Sequence, residues 1–325
     1  MKNRFLLTLI APFALTLSGC GNAQSTDSTV KFDYIFTAQP VVSVTESTIF
    51  KNVQDDFKAK SGGKSITQAS IFVNNDADKD KVDALLLKVA SDIEAGIVAP
   101  ALIKNGIEQL ESKAEQQSKF GVPGAIAAKV TTANNGFSLG FTYSYAIKEE
   151  ISSFVNLLTN NGIGDIPDEK YYLPETTTLD PTVDYSSLKI LAPTGAPSVA
   201  FYNFAKNANF ETTGNPKQGL IPMFQTNNYD IIVAPTQGGL MQVIKQNANY
   251  KLAATITFGN FYLVATGHDD DGILNEGDKV LIFQETDVPG LVFKYTYGDL
   301  NLDITAVAGV DETKLAIENG GTLKE

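Results

Sequence analysis

The chain has no tryptophan, one cysteine and one histidine in 325 residues. A lone cysteine excludes an internal disulfide and any cysteine-built metal centre. A lone histidine, His268, leaves no partner set for Ser-His-Asp or Cys-His catalysis, and no G-x-S-x-G elbow accompanies it. No phosphate loop, dinucleotide fingerprint or zinc spacing occurs, so no cofactor and no metal are expected. Acids are numerous, but no spacing singles out a catalytic pair. Arg4 is the only arginine, so beyond it an anion must be held by backbone N–H groups, hydroxyls, amides or lysines. The net charge of −12, with no basic run, excludes nucleic acid as an expected partner.

What is present begins at the N-terminus. Lys2 and Arg4 precede an apolar run from Phe5 to Leu17, short for a bilayer span. It ends in Leu17-Ser18-Gly19-Cys20, small residues before a cysteine, which resembles a lipobox. On this reading residues 1–19 are a lipoprotein signal peptide, Cys20 is the lipidated mature N-terminus, and 20–30 form a polar tether. Losing Lys2 and Arg4 takes the net charge from −12 to −14. The expected location is outside the cell, held by lipid at the outer face of the bacterial cytoplasmic membrane or in the periplasm.

Apolar runs and helical periodicities then alternate. Lys31–Val44 predicts a buried strand with a turn at Gln39-Pro40 and a helix after it. Ile49, Val53 and Phe57 predict a helix to Lys60, and Ile66–Val73 a strand. Val82, Leu85, Leu86, Val89 and Ile93 set a helical period within Asp76–Gln117, capped by Asp76 or Asp78 and restarted at Pro100. Ala146–Leu158 predicts a helix, and Leu173–Ser187, rich in Pro, Thr and Asp, a linker. In the second half the strands are Leu188–Leu191, Tyr229–Ala234, a long run Leu252–Thr266, Lys279–Phe283 and Leu302–Val307. The helices there open at Ser198 and cover Thr236–Asn247, Val288–Tyr297 and Asp311–Asn319. The expected class is α/β, with parallel-rich sheets flanked by helices. Phe32-Asp33-Tyr34-Ile35-Phe36-Thr37-Ala38 echoes Tyr229-Asp230-Ile231-Ile232-Val233-Ala234, as equivalent strands of two similar lobes should.

The strand-loop-helix of Leu188–Phe204, LKILAPTGAPSVAFYNF, resembles the first such unit of the type II periplasmic-binding-protein family, the bilobal solute-binding lipoproteins of ABC importers. Asp230–Thr236, Tyr250–Asn260 and Pro289-Gly290 follow in that family's order. Strands like Asp33–Pro40 and Ser70–Val73 are also present, but the family's order runs 188–325 first and 31–173 second. The resemblance therefore implies a circularly permuted two-lobed fold. One lobe holds 65–172 and 188–266, the other 31–64 and 267–325. Residues 173–187 join the old ends, and 251–266 and 65–74 are the crossings.

It also implies a ligand cleft between the lobes, which close by hinge motion. Loops at carboxyl strand ends face it, and three of them start helices whose positive ends favour an anion or a polar group. The candidate ligand residues are Thr194, Gly195, Ala196, Pro197, Ser198, Thr236, Gln237, Asn260, Tyr262, Thr286, Asp287 and Gln39. The implied function is capture of a small-molecule solute and its delivery to ABC permease and ATPase subunits, without catalysis. A non-transport lipoprotein of the same fold (sensor, scaffold or adhesion module) is the alternative, and an enzyme on the fold a third. Family relatives that make a thiamine precursor use histidine and cysteine chemistry that this chain lacks. Asp269, Asp271, Asn275 and Asp278 in Gly267–Lys279 invite a calcium reading. Gly267 in the first ligand place and Asp278 in the last break the EF-hand signature, so a solvated loop containing His268 is expected.

Overall fold

The computed structural model describes residues 29–38, 50–94, 139–158, 168–176, 180, 182–204, 207–266 and 272–324. The signal peptide, Cys20, Gln39, the second helix from Pro100 and residues 267–271 with His268 lie outside them.

Two mixed sheets organise the described residues. The first contains β4 (Thr67–Asn74), β5 (Leu139–Tyr143), β6 (Ile190–Pro193), β7 (Phe210–Thr213), β8 (Ile231–Pro235) and β9 (Tyr250–Phe258), in the order β5-β9-β4-β8-β6-β7. The second contains β2 (Tyr34–Thr37), β3 (Phe50–Asn52), β10 (Tyr262–Ala265), β11 (Lys279–Phe283) and β12 (Asp303–Val307), in the order β12-β11-β2-β10-β3. A short ribbon pairs β1 (Thr29–Lys31) antiparallel with β13 (Thr322–Lys324). The helices are α1 (Gln54–Ser61), α2 (Lys79–Glu94), α3 (Lys148–Leu158), α4 (Ala196–Val199), α5 (Pro216–Gly219), α6 (Thr236–Lys245), α7 (Val288–Tyr297) and α8 (Val310–Glu318).

The sheets are mixed, not parallel-rich. Among the named strands, parallel pairing falls in two blocks, β7-β6-β8 and β12-β11-β2, with one isolated parallel bridge between Tyr172 and Leu252. In each sheet the next strand, β4 or β10, runs antiparallel, and a further antiparallel neighbour, β9 or β3, follows. The two sheets thus share one strand plan, in which β8 and β2 take the same place. Their side chains agree. Asp230 donates its N–H to the Lys189 carbonyl (2.9 Å) and accepts the Lys189 N–H on Oδ2 (2.8 Å). Asp33 makes the same reciprocal pair with Lys279, at 2.9 Å both ways. The echo between residues 32–38 and 229–234 is therefore a true structural equivalence.

Alternation along each strand sends side chains to two apolar layers, which is why the strands read as continuous apolar runs. In β4, Phe72 enters the large cluster between the sheets while Ile71 and Val73 face α2. In β2, Tyr34 and Phe36 join the large cluster while Ile35 packs under α8 with Ala316 and Ile317. Helix α2 buries Val82, Leu85, Leu86 and Val89, as its sequence period requires.

Several expectations are corrected. The run Leu252–Thr266 is two strands in different sheets, broken where Gly259 adopts φ 69°. A side chain at Gly259 would meet Gln54, whose Oε1 accepts the Ile66 N–H at 3.2 Å. The second passage between sheets is Gly62–Ile66, because β4 lies wholly in the first sheet. Residues 50–52 form β3, since pairing with β10 overrides their helical spacing. Thr29 and Val30, taken as tether, belong to β1. Strand β6 starts at Ile190, two residues later than expected, and the helix after it, α4, has only four residues.

Candidate functional site

A cavity of about 630 Å³ lies between the carboxyl ends of the two parallel blocks. That edge is where α/β sheets present loops and free backbone groups. From the first sheet, Pro193, Thr194 and Pro197 after β6, Thr213 to Pro216 after β7, Pro235 after β8, and Gln68 and Ala69 of β4 reach it. From the second come Ala38, Phe283, Gln284, Val288, Pro289, Ala308, Gly309 and Glu312. Asn260 and Phe261, in the passage between β9 and β10, form the wall that joins the two sides.

Three local devices hold these loops. After β6, Gly195 takes φ 99°, and Ser198 Oγ donates to the Gly195 carbonyl at 2.8 Å. After β11, Gln284 sits at φ 50°, and its carbonyl accepts the Asp287 and Gly290 N–H groups at 3.0 and 3.3 Å. Left-handed backbone at a non-glycine residue is costly and marks a loop whose shape the surrounding packing dictates. Gly290 allows the close return, because a Cβ there would lie 2.1 Å from the Glu285 carbonyl oxygen. In the dividing wall, Gln68 Oε1 accepts the Asn260 N–H at 3.1 Å.

Of the candidates, Thr194, Pro197 and Asn260 lie on the cavity lining. Other candidates do not. Ala196 and Ser198 are buried beneath the α4 loop, and Gly195 serves its turn. Thr236 is buried because its hydroxyl joins Ser70 at 2.8 Å, in a chain that continues through Thr255 to Ser144. Tyr262 is wholly buried in β10. Gln237 is half-buried on α6 and Thr286 is exposed on the loop before α7, both off the lining. Asp287 stands at the rim, where Oδ1 lies 3.7 Å from Lys217 Nζ of α5. This pair spans the two sides, and its exposure limits it to under about 1 kcal/mol.

The helix ends also differ from the anion-binding ends expected. α4 is too short to sum peptide dipoles usefully. α7 carries Asp287 at its N-cap, and α8 carries Glu312 in its first turn, with Oε2 3.3 Å from where a Gly309 Cβ would stand. Each of these helices thus has a carboxylate of the chain itself near its positive end, though neither N-cap makes a side-chain capping bond. Gln68, Asn215, Phe261, Phe283, Gln284 and Glu312 were missed. Gln68 shares its strand with Thr67, Ser70 and Asn74, so its polarity was no signal, and the others reach the site only through sheet pairing.

Asn260 is 3% exposed, and its Oδ1 has no hydrogen-bond partner among the described residues. A buried orphan acceptor is costly and rare. Among the described residues no cluster of three His, Cys, Asp or Glu side chains could hold a metal ion. In the acidic loop, Asp278 Oδ2 accepts the Asn275 N–H at 2.7 Å and closes a turn. Nor is any described helix long and apolar enough to cross a membrane. Comparison with family models, curated proteins and solved structures finds no match to this chain.

Proposed function

We propose that this protein is an extracytoplasmic solute-binding lipoprotein with a circularly permuted type II periplasmic-binding fold. In this reading each sheet with its helices is a lobe, and lipid on Cys20 anchors the chain. The lobes close on a small organic solute, which an ABC permease and its ATPase accept. The observation that carries the reading is the cavity between two sheets of one strand plan, lined from both at their carboxyl ends. Its volume of about 630 Å³ suits a small molecule. The permuted order is supported by β2 and β12 sharing a sheet and by Thr29 pairing with Lys324. Permutation is tolerated where the joined ends are neighbours.

A thermal-shift screen of the protein against amines, amino acids, sulfonates, carboxylates and sugars tests it. A true ligand at about 100 times its Kd stabilises by about 2.7 kcal/mol. No shift across that panel overturns solute capture and favours a non-transport lipoprotein.

A further inference from the structure

We infer that the solute held in this cavity carries a positive charge: an alkylammonium or a quaternary ammonium compound. This rests on the solute-binding reading above and adds the ligand's chemical class. Of the described residues lining the cavity, Glu312 is the only ionisable one and none is a lysine, and the chain beyond residue 4 has no arginine. Glu312 has no ion-pair partner among the described residues, whereas the rim lysine, Lys217, is engaged by Asp287. An anion would therefore meet an uncompensated carboxylate across a cavity of about 630 Å³, and a cation would neutralise it.

The rest of the described lining adds no second charge. Phe261 and Phe283 back the wall from the core, 1% and 3% exposed and both stacked on Phe36. Asn260, 3% exposed, adds an acceptor oxygen, Oδ1, to which no described residue donates. The two helix ends that could have favoured an anion already carry Asp287 and Glu312. The Glu312 carboxylate is the one charge that a ligand meets on the described lining.

Isothermal titration of the full chain with choline, putrescine, dimethylbutanol (the neutral carbon isostere of choline), ethanesulfonate and glucose tests this. The expected result is saturable binding of choline or putrescine and none of ethanesulfonate. Glu312→Gln should weaken the cation at least about tenfold, the scale of a lost charge-assisted contact. Glu318→Gln, an equal change of net charge at the exposed far end of α8, should leave Kd unchanged. Gln68→Glu keeps an acceptor for Asn260 and adds a carboxylate to the wall, so it should tighten cation binding even if Glu312→Gln folds poorly. Dimethylbutanol binding as well as choline, or Gln68→Glu weakening the cation, overturns the inference. Binding of ethanesulfonate or glucose alone overturns it while leaving solute capture standing. Absence of binding by all five overturns both.

Discussion

Replacing Gly290 with alanine sets two effects of known sign against each other. Gly290 lies in the first turn of α7 and has no positive φ, so alanine suits its backbone and should gain about 1 kcal/mol of helix propensity. Against this, the new Cβ would stand 2.1 Å from the Glu285 carbonyl oxygen and 2.4 Å from Glu285 C and Cα. Relief requires the backbone to separate by roughly 1 Å, since flexible side chains are not what it meets. Overpacking of this kind costs about 1–3 kcal/mol, and more where the obstacle is backbone. The net expectation is a loss of roughly 2 kcal/mol. Because Val288 and Pro289 line the cavity, ligand affinity should fall too. Gly238→Ala is the contrast: its Cβ would meet only the Cδ1 tip of Ile221 at 3.0 Å, so the propensity gain should about cancel the clash. Urea denaturation reads both, as shifts in midpoint at unchanged slope. Gly290→Ala equal to or more stable than the parent, with slope unchanged, would refute the close-return argument.

The shared strand plan predicts matched variants. Asp33→Ala and Asp230→Ala each remove one charged acceptor from a backbone N–H at an exposed strand start, and each should cost about 1 kcal/mol. The costs should add in the double variant, and a twofold mismatch in urea midpoints would contradict the equivalence. At high pH, burial pushes the phenols of Tyr229 and Tyr250 up to about 12. A raised folded-state value means the unfolded chain loses those protons first. Stability is therefore whole below about pH 10 and falls as pH rises from there towards 12. Alkaline melts should steepen over that window, and Tyr250→Phe, which removes the 2.8 Å donation to the Tyr229 carbonyl, should flatten its share. With no tryptophan in the chain, phenolate absorbance reports the titration directly.

The amphipathic period of α2 and the apolar runs of β4, β8 and β11 were legible because each is a local pattern with one burial solution. Strand β3, read as helix, and β5 and β7, not read at all, owe their form to neighbours distant in sequence. Thr194 and Pro197, named from loop position, and Asn260, named from its place near the crossing, lie on the cavity lining, whereas Thr236, Ser198 and Tyr262 looked equally apt and lie off it. Sequence places a hydroxyl at a strand end. It does not say whether that hydroxyl faces a cavity or a neighbouring Ser70.

Composition and local pattern determined the α/β class, the poverty of catalytic groups and the two matching strands that open on Asp33 and Asp230. These depend on residues within a few positions of one another. The split of residues 250–265 between two sheets, the single carboxylate among the described residues of the cavity wall and the orphan oxygen of Asn260 were decided only by tertiary structure. Charge balance in a cavity is a property of its whole lining. Here that lining is assembled from Ala38 to Glu312, by strand pairings that no local stretch of the chain encodes.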